Sequence, residues 1–250
     1  MSTEPRPARF QDRAALHGLR LLAAGAALAV AGPAAAGCAP GSAGPRDFVC
    51  TGVIGSNLFP NPRTVAYIGA TVSGFQSIKP TAGGNVEFSL DAKSSIASTG
   101  AGVSIVTTGG SIGTNTPSGA GINGAITATG GLAFFVQTSG VGSNININTG
   151  VNGKISGSAG GIVAIVDSDG QINLDLKAAV TSKNGVAISA TSVDGAINIT
   201  TTGIVSGGTG GIIANATGNG LIAINSTADI SATTGPAVQA IAGGTGNVTA

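Results

Sequence analysis

The second half of the chain repeats one pattern of residues with a period of about 25. An apolar residue that opens an alternating stretch recurs at spacings of 27, 25, 25 and 26 residues, and a second apolar position recurs every 25 residues. A fixed period of this length is typical of architectures in which similar units stack on one another. The two sets of recurring positions are Ile145, Ile172, Ile197, Ile222 and Val248, and Ile155, Val180, Val205 and Ile230.

Within each repeat, apolar and polar residues alternate, as in Ile172-Asn173-Leu174. Alternation with a period of two indicates a strand with one buried face, and a Gly or Asn interrupts every candidate helix within a turn or two. Glycine supplies 43 of the 250 residues, while Ile, Val and Ala dominate the 42% of residues that are apolar. This composition suits short strands separated by tight turns.

A strand-only unit of about 25 residues cannot bury its own apolar face, whereas a stack of such units can. We therefore predict an all-β fold, a right-handed parallel β-helix (β-solenoid) with about 25 residues per coil and an N-terminal cap. Asn173 and Asp175 belong to outward rows, in which asparagines of successive coils can form ladders. The predicted interior residues of the coil at 171–195 are Ile172, Leu174, Val180, Val186 and Ile188.

The repeat becomes less regular towards the N terminus. Residues 86–250 hold the predicted coils, with an insertion at 114–121 that contains Pro117. Residues 37–85 have strand-like pieces without a clean register, so we predict a cap that covers the open edge of the first coil. The last four residues read as the first strand of a further coil, so we expect the coils to be incomplete at the C terminus.

Residues 1–36 are typical of a secretory signal peptide. Four arginines precede a short apolar run, and Ala34-Ala35-Ala36 supplies small residues at the predicted cleavage site. Export would bring Cys38 and Cys50, the two cysteines of the chain, into an oxidising compartment, which favours a disulfide between them. Lipidation of Cys38 is the alternative, because the residues before it partly match a lipobox.

Few residues after position 36 offer catalytic or metal-binding chemistry. The single histidine, His17, lies in the predicted signal peptide, which removes histidine-based nucleophile and metal schemes. Lysines and arginines are scattered, so we expect no binding of nucleic acid. The densest acidic stretch holds Asp167 and Asp169 and is explained as a turn, with a weak calcium site as the alternative. We predict no catalytic residue, no cofactor and no metal site.

A signal peptide, a short Cys loop (CAPGSAGPRDFVCTG) and Gly/Thr/Asn-rich coils with INI-type strands follow one another along the chain. This combination resembles the N-terminal passenger region of bacterial autotransporters of the type V secretion pathway. The resemblance implies a β-helical passenger that is exported and then displayed or released at the outer surface. It also implies a C-terminal translocating β-barrel, which these residues do not include, so we expect contact with the membrane only through such a barrel.

We therefore expect a secreted or cell-surface protein that is structural and adhesin-like and has no catalytic activity of its own. Its expected partner is an unknown surface ligand, or a host or matrix component, bound where the repeat is broken, at 114–121 or in the cap. The alternative is a carbohydrate-active β-helix enzyme, a polysaccharide lyase or hydrolase that acts on extracellular polysaccharide. Such an enzyme needs acidic and basic residues aligned across adjacent coils, and the eight acidic residues after position 36 are mostly scattered.

Overall fold

The computed structural model describes most of the chain after the predicted signal peptide. No described residue is helical, and short turns join strands throughout. The signal peptide at 1–36 and residues 115–120 of the predicted insertion lie outside the described residues. The described ranges are 37–41, 44–55, 57–60, 64–80, 84–114 and 121–250.

Twenty-four strands run through the described residues, and all except β2 and β4 are seven residues long or shorter. In chain order they are β1 (Gly37–Gly41), β2 (Gly44–Ile54), β3 (Asn57–Pro60), β4 (Thr64–Ser73), β5 (Gln76–Lys79), β6 (Val86–Leu90), β7 (Ser95–Ser98), β8 (Val103–Thr107), β9 (Ile112–Gly113), β10 (Ala125–Ala128), β11 (Leu132–Thr138), β12 (Ile145–Thr149), β13 (Lys154–Gly157), β14 (Gly160–Val166), β15 (Ile172–Leu176), β16 (Ala179–Ser182), β17 (Val186–Ser192), β18 (Ile197–Thr201), β19 (Val205–Gly207), β20 (Gly210–Ala216), β21 (Ile222–Ser226), β22 (Ile230–Ala232), β23 (Val238–Ala242) and β24 (Val248–Thr249).

Each regular coil contributes three strands, and equivalent strands of successive coils pair in parallel, which produces three faces. The result is a parallel β-solenoid of about 7 turns with about 26 residues each, which confirms the predicted all-β solenoid. Face 1 comprises β6, β9, β12, β15, β18, β21 and β24, face 2 comprises β7, β10, β13, β16, β19 and β22, and face 3 comprises β3, β5, β8, β11, β14, β17, β20 and β23.

Strand β4 links faces 1 and 2 because it bends around a corner of the solenoid. Its first residues pair with β6 and its last residues pair with β7. Gly69 lies at the bend with a φ of 58°, a conformation that favours glycine. The Asp91 carboxylate of the next coil accepts hydrogen bonds from the Gly69 N–H at 3.1 Å and from Ser94 Oγ at 2.5 Å. One carboxylate therefore fixes the bend of one coil against the turn of the next.

Parallel stacking begins upstream of residue 86, within the region predicted as a cap at 37–85. Strand β2 pairs in parallel with β4, and β3 pairs in parallel with β5. Strand β1 differs, since it pairs antiparallel with β2. Cys38 and Cys50 face each other across this hairpin and are joined by a disulfide. The hairpin of β1 and β2 is therefore the part of 37–85 that departs from the parallel arrangement of the coils.

The interior is a continuous column of buried apolar side chains from all three faces. Four of the five interior residues predicted for the coil at 171–195 are buried, but the prediction for Val186 is wrong, because this side chain is only half-buried. Ala187 and Ile188 are both buried although they are consecutive, so the in-and-out alternation restarts at Ile188. A restart of this kind at a corner cannot be read from the alternation itself.

One corner of the regular coils is built from a column of glycines. A Cβ atom on Gly195 would collide with the carbonyl oxygen of Gly170, and a Cβ on Gly220 would collide with that of Gly195. Gly246 approaches the carbonyl oxygen of Gly220 in the same way. None of the four has a positive φ, so close approach of the backbones is what requires glycine here.

Candidate functional site

The outer side of face 1 carries a ladder of asparagine side chains. Asn146, Asn173 and Asn198 are paired in register on β12, β15 and β18. The Asn173 Nδ2 donates to the Asn146 Oδ1 at 2.9 Å, and the Asn198 Nδ2 donates to the Asn173 Oδ1 at 2.9 Å. The ladder predicted from the repeat is therefore present, and hydrogen bonds between coils fix the orientation of its amide groups.

A second outward row lies two residues further along each strand. Asn148, Asp175 and Thr200 form it, again in register on the same three strands. The two rows line a shallow depression of about 310 Å³. Leu174 lies at its floor with its side chain buried in the core, so the polar groups of the depression come from the two rows.

The depression carries little net charge. The Asp175 carboxylate lies 3.8 Å from the Lys177 ammonium, and these side chains are 47% and 50% exposed. An ion pair this exposed contributes little to stability. Its effect is to place one positive charge beside the one negative charge that lines the depression.

The asparagine ladder has three rungs because the row has no asparagine at the positions on either side of them. Gly113 precedes Asn146 in the row, and Ala223 follows Asn198. The Glu87 carboxylate of the preceding coil lies over Gly113, since a Cβ on that glycine would stand 2.5 Å from Oε1 and 2.7 Å from Oε2 of Glu87. A carboxylate thus fills the space over Gly113, the position that precedes Asn146 in the row.

Asp167 and Asp169 lie in the turn after β14 and are bonded to the preceding coil. The Gln137 Nε2 donates to the Asp167 Oδ2 at 2.7 Å, and the Gly142 N–H donates to the Asp169 Oδ1 at 2.7 Å. These two carboxylates therefore brace successive coils. In the described part of the chain, no group of three or more His, Cys, Asp and Glu side chains is arranged to hold a metal ion.

The interior of the first coils contains a buried polar cluster. The Tyr67 hydroxyl donates to the Gln76 Oε1 at 2.7 Å, and the Asn57 Nδ2 donates to the same oxygen at 3.4 Å. The Gln76 Nε2 donates to the Gly55 carbonyl oxygen at 3.0 Å. Burial raises the pKa of the Tyr67 hydroxyl above its usual value of 10.0, so this group remains a neutral donor inside the solenoid.

The sequence pattern placed Asn173 and Asp175 in outward rows and did not assign Asn148 or Thr200 to the second row. The common period of the two rows was a signal that could have found them, because residues in register on one face become neighbours. A repeat length predicts which residues share a face, but it does not encode the shape of the surface between the two rows. The sequence predicted binding elsewhere, at 114–121 or in the cap, and 114–121 lies mostly outside the described residues.

Across the described ranges, no helix is both long enough and apolar enough to span a membrane. Comparison with protein-family models, with curated proteins and with solved structures found no match to this chain.

Proposed function

We propose that this chain is an exported β-solenoid of the autotransporter passenger type, displayed at or released from the cell surface, with a structural, adhesin-like role and no catalytic activity of its own. The observation that carries the proposal is the parallel stack that extends from β2 to β24. Such a stack is a rod, because each coil adds about 4.8 Å of length and contacts mainly its neighbours. A rod can hold a binding surface away from the cell.

The N-terminal region supports export. The pattern at 1–36 is that of a signal peptide, and the Cys38–Cys50 disulfide beside the start of the rod suits an oxidising compartment. Folding of a solenoid propagates from coil to coil, so folding outside the cell can favour the export of the rest of the chain.

The enzyme alternative receives less support from the carboxylates of face 1. Paired catalytic carboxyl groups of glycoside hydrolases lie about 5–9.5 Å apart. In the register of face 1, the backbone positions of Glu87 and Asp175 are three coils apart and two residues apart along the strand, which corresponds to roughly 16 Å. This separation favours a binding surface over a hydrolytic pair at these two residues.

Labelling of intact cells tests the surface location. Cells that carry the native gene are treated with antibody raised against residues 86–250, with and without added protease, and a periplasmic protein serves as the control. We expect labelling of intact cells that protease removes while the periplasmic control stays intact. Labelling that appears only after the cells are permeabilised contradicts the proposal.

An activity assay tests the enzyme alternative. The purified chain is incubated with extracellular polysaccharides, and unsaturated products and new reducing ends are measured. We expect neither to accumulate. Turnover that is lost in an Asp175→Asn variant would replace the proposed role with that of a carbohydrate-active enzyme.

A further inference from the structure

We infer that the depression on face 1 is a binding subsite for a neutral, hydroxyl-rich ligand, a segment of an oligosaccharide. The inference rests on the proposed adhesin-like role and names the ligand class and the surface that would carry it. Six outward side chains supply the contacts, namely Asn146, Asn173 and Asn198 of the ladder and Asn148, Asp175 and Thr200 of the second row.

The ladder presents amide groups whose orientation is set before a ligand arrives. A side-chain amide has two N–H donors and two acceptor lone pairs, and the ladder uses one donor and one lone pair of Asn173. The other donor and lone pair remain for a ligand. Because the side chain is already ordered, binding loses less rotamer entropy than it would at a free asparagine.

A sugar hydroxyl matches these groups because it both donates and accepts a hydrogen bond. The rungs are about 4.8 Å apart and the two rows about 6.6 Å apart, so the rows form a regular grid of donors and acceptors. Thr200 adds an exposed hydroxyl to the second row. Successive hydroxyls along a sugar chain can meet successive rungs of the grid.

The charges and the lining favour a neutral oligosaccharide over other polymers. Lys177 offsets the charge of Asp175, and no cluster of basic residues lines the depression. Nucleic acids and acidic polysaccharides are captured by clustered positive charge. A protein partner normally buries an apolar core, whereas these lining side chains are amides, a carboxylate and a hydroxyl.

A calcium ion is the competing small ligand, since amide, hydroxyl and carboxylate oxygens also bind Ca²⁺. Calcium takes about six to eight oxygens, usually with several carboxylates among them. The depression has one carboxylate, that of Asp175. The chemistry of the donors therefore favours the sugar, and calcium enters the test as an outcome that would overturn the inference.

The test uses the full chain and a printed array of neutral oligosaccharides, built from hexoses and N-acetylhexosamines, together with oligosaccharides that contain uronic acids. Affinity for a bound neutral probe is then measured by calorimetry in the presence of EDTA. Asn173→Ala removes the central rung, and Thr200→Ala removes a hydroxyl outside the ladder. The control is Thr181→Ala on face 2 of the coil that carries Asn173, where the Thr181 Oγ1 donates to the Ser156 Oγ at 3.0 Å.

We expect the parent chain to bind neutral probes. The affinity should fall by about five- to tenfold in Thr200→Ala and by at least as much in Asn173→Ala. The affinity of Thr181→Ala should not change. Thr200→Ala keeps the test decisive if Asn173→Ala disturbs the coil. The inference is overturned if no neutral probe binds, if all three variants bind equally, or if binding requires Ca²⁺. Surface labelling without sugar binding would overturn this inference alone, whereas sugar binding without surface labelling would overturn only the proposed location.

Discussion

The coils at 44–107 and the coils at 145–226 fill the same narrow interior with different side chains. Aromatic rings pack on one another in the first region, where the Phe48 and Phe59 centroids lie 5.3 Å apart and those of Tyr67 and Phe88 lie 5.8 Å apart. Phe134 continues the contact at 5.7 Å from Phe88. From residue 145 onwards the sequence has no aromatic residue, and the interior is a stack of Ile, Leu, Val and Ala.

The difference between the two regions explains why one is periodic and the other is not. An aliphatic stack accepts the same residue at the same position in each coil, so the sequence can repeat. An aromatic ring needs neighbours of a matching shape, so adjacent coils have to differ. The corner between faces 1 and 2 differs as well, because the single strand β4 bends there at Gly69 under the Asp91 carboxylate, whereas in the regular coils two separate strands meet at this corner.

Replacement of Phe88 by alanine is expected to have the largest effect on stability. Phe88 is fully buried between Tyr67 and Phe134, and truncation of a buried Phe to Ala costs about 3–5 kcal/mol. Urea unfolding followed by circular dichroism measures the loss. Ile197→Val in the regular stack is the comparison, with an expected cost of about 0.5–1.5 kcal/mol. A similar loss in the two variants would mean that the aromatic contacts add nothing to the first coils.

Loss of the disulfide is the next largest expected effect, and it should be concentrated in the first coils. The bond closes a loop with a sequence separation of 12, which corresponds to about 3 kcal/mol in a chain-entropy account. Tyr67 is the single tyrosine of a chain without tryptophan, so its fluorescence reports on these coils alone. The double variant Cys38→Ser/Cys50→Ser should unfold at lower urea by tyrosine emission, with a smaller shift by circular dichroism. An unchanged midpoint of tyrosine emission would contradict this role of the disulfide.

The sequence predicted the regular coils well because one physical rule governs them. Ile172 and Val180 belong to sets that recur every 25 to 27 residues, and both are buried, since a stacked strand must repeat its inward residues. The register of β2 to β5 was not predicted. It depends on how Tyr67 and Phe88 pack and on a bend at Gly69, and neither feature follows from a repeat period. For the site, the asparagine ladder was predictable from the period, whereas the depression beside it was not.

The glycine column of the regular coils gives a prediction of intermediate size. The Cβ of Gly195→Ala would overlap the carbonyl oxygen of Gly170, which belongs to the backbone and cannot rotate away. Overpacking of this kind costs about 1–3 kcal/mol. Gly100→Ala is the matched control, because a Cβ there has nothing within 4 Å and Gly100 has no positive φ. Equal midpoints of thermal unfolding for the two variants would show that the backbones at this corner are not in close contact.

Tyr67→Phe is expected to have the smallest effect, about 1 kcal/mol, because it removes one hydrogen bond while the Gln76 Oε1 keeps the Asn57 Nδ2 as a donor. The substitution also removes the pH dependence that Tyr67 gives to the free energy of unfolding. Burial raises the pKa of Tyr67 above 10.0, so the folded chain keeps a proton that the unfolded chain releases. The stability that Tyr67 contributes is therefore complete below about pH 10 and is lost as the pH rises further.

Urea unfolding followed by circular dichroism, at several values between about pH 8 and about pH 11, tests this dependence. The free energy of unfolding of the parent chain should fall more steeply above about pH 10 than that of Tyr67→Phe. The regular coils contain no tyrosine, so they cannot be the source of a difference between the two chains. Equal slopes of the free energy of unfolding against pH would mean that Tyr67 ionises as readily in the folded chain as in water. The first coils would then be open to solvent at the aromatic contact that distinguishes them from the regular coils.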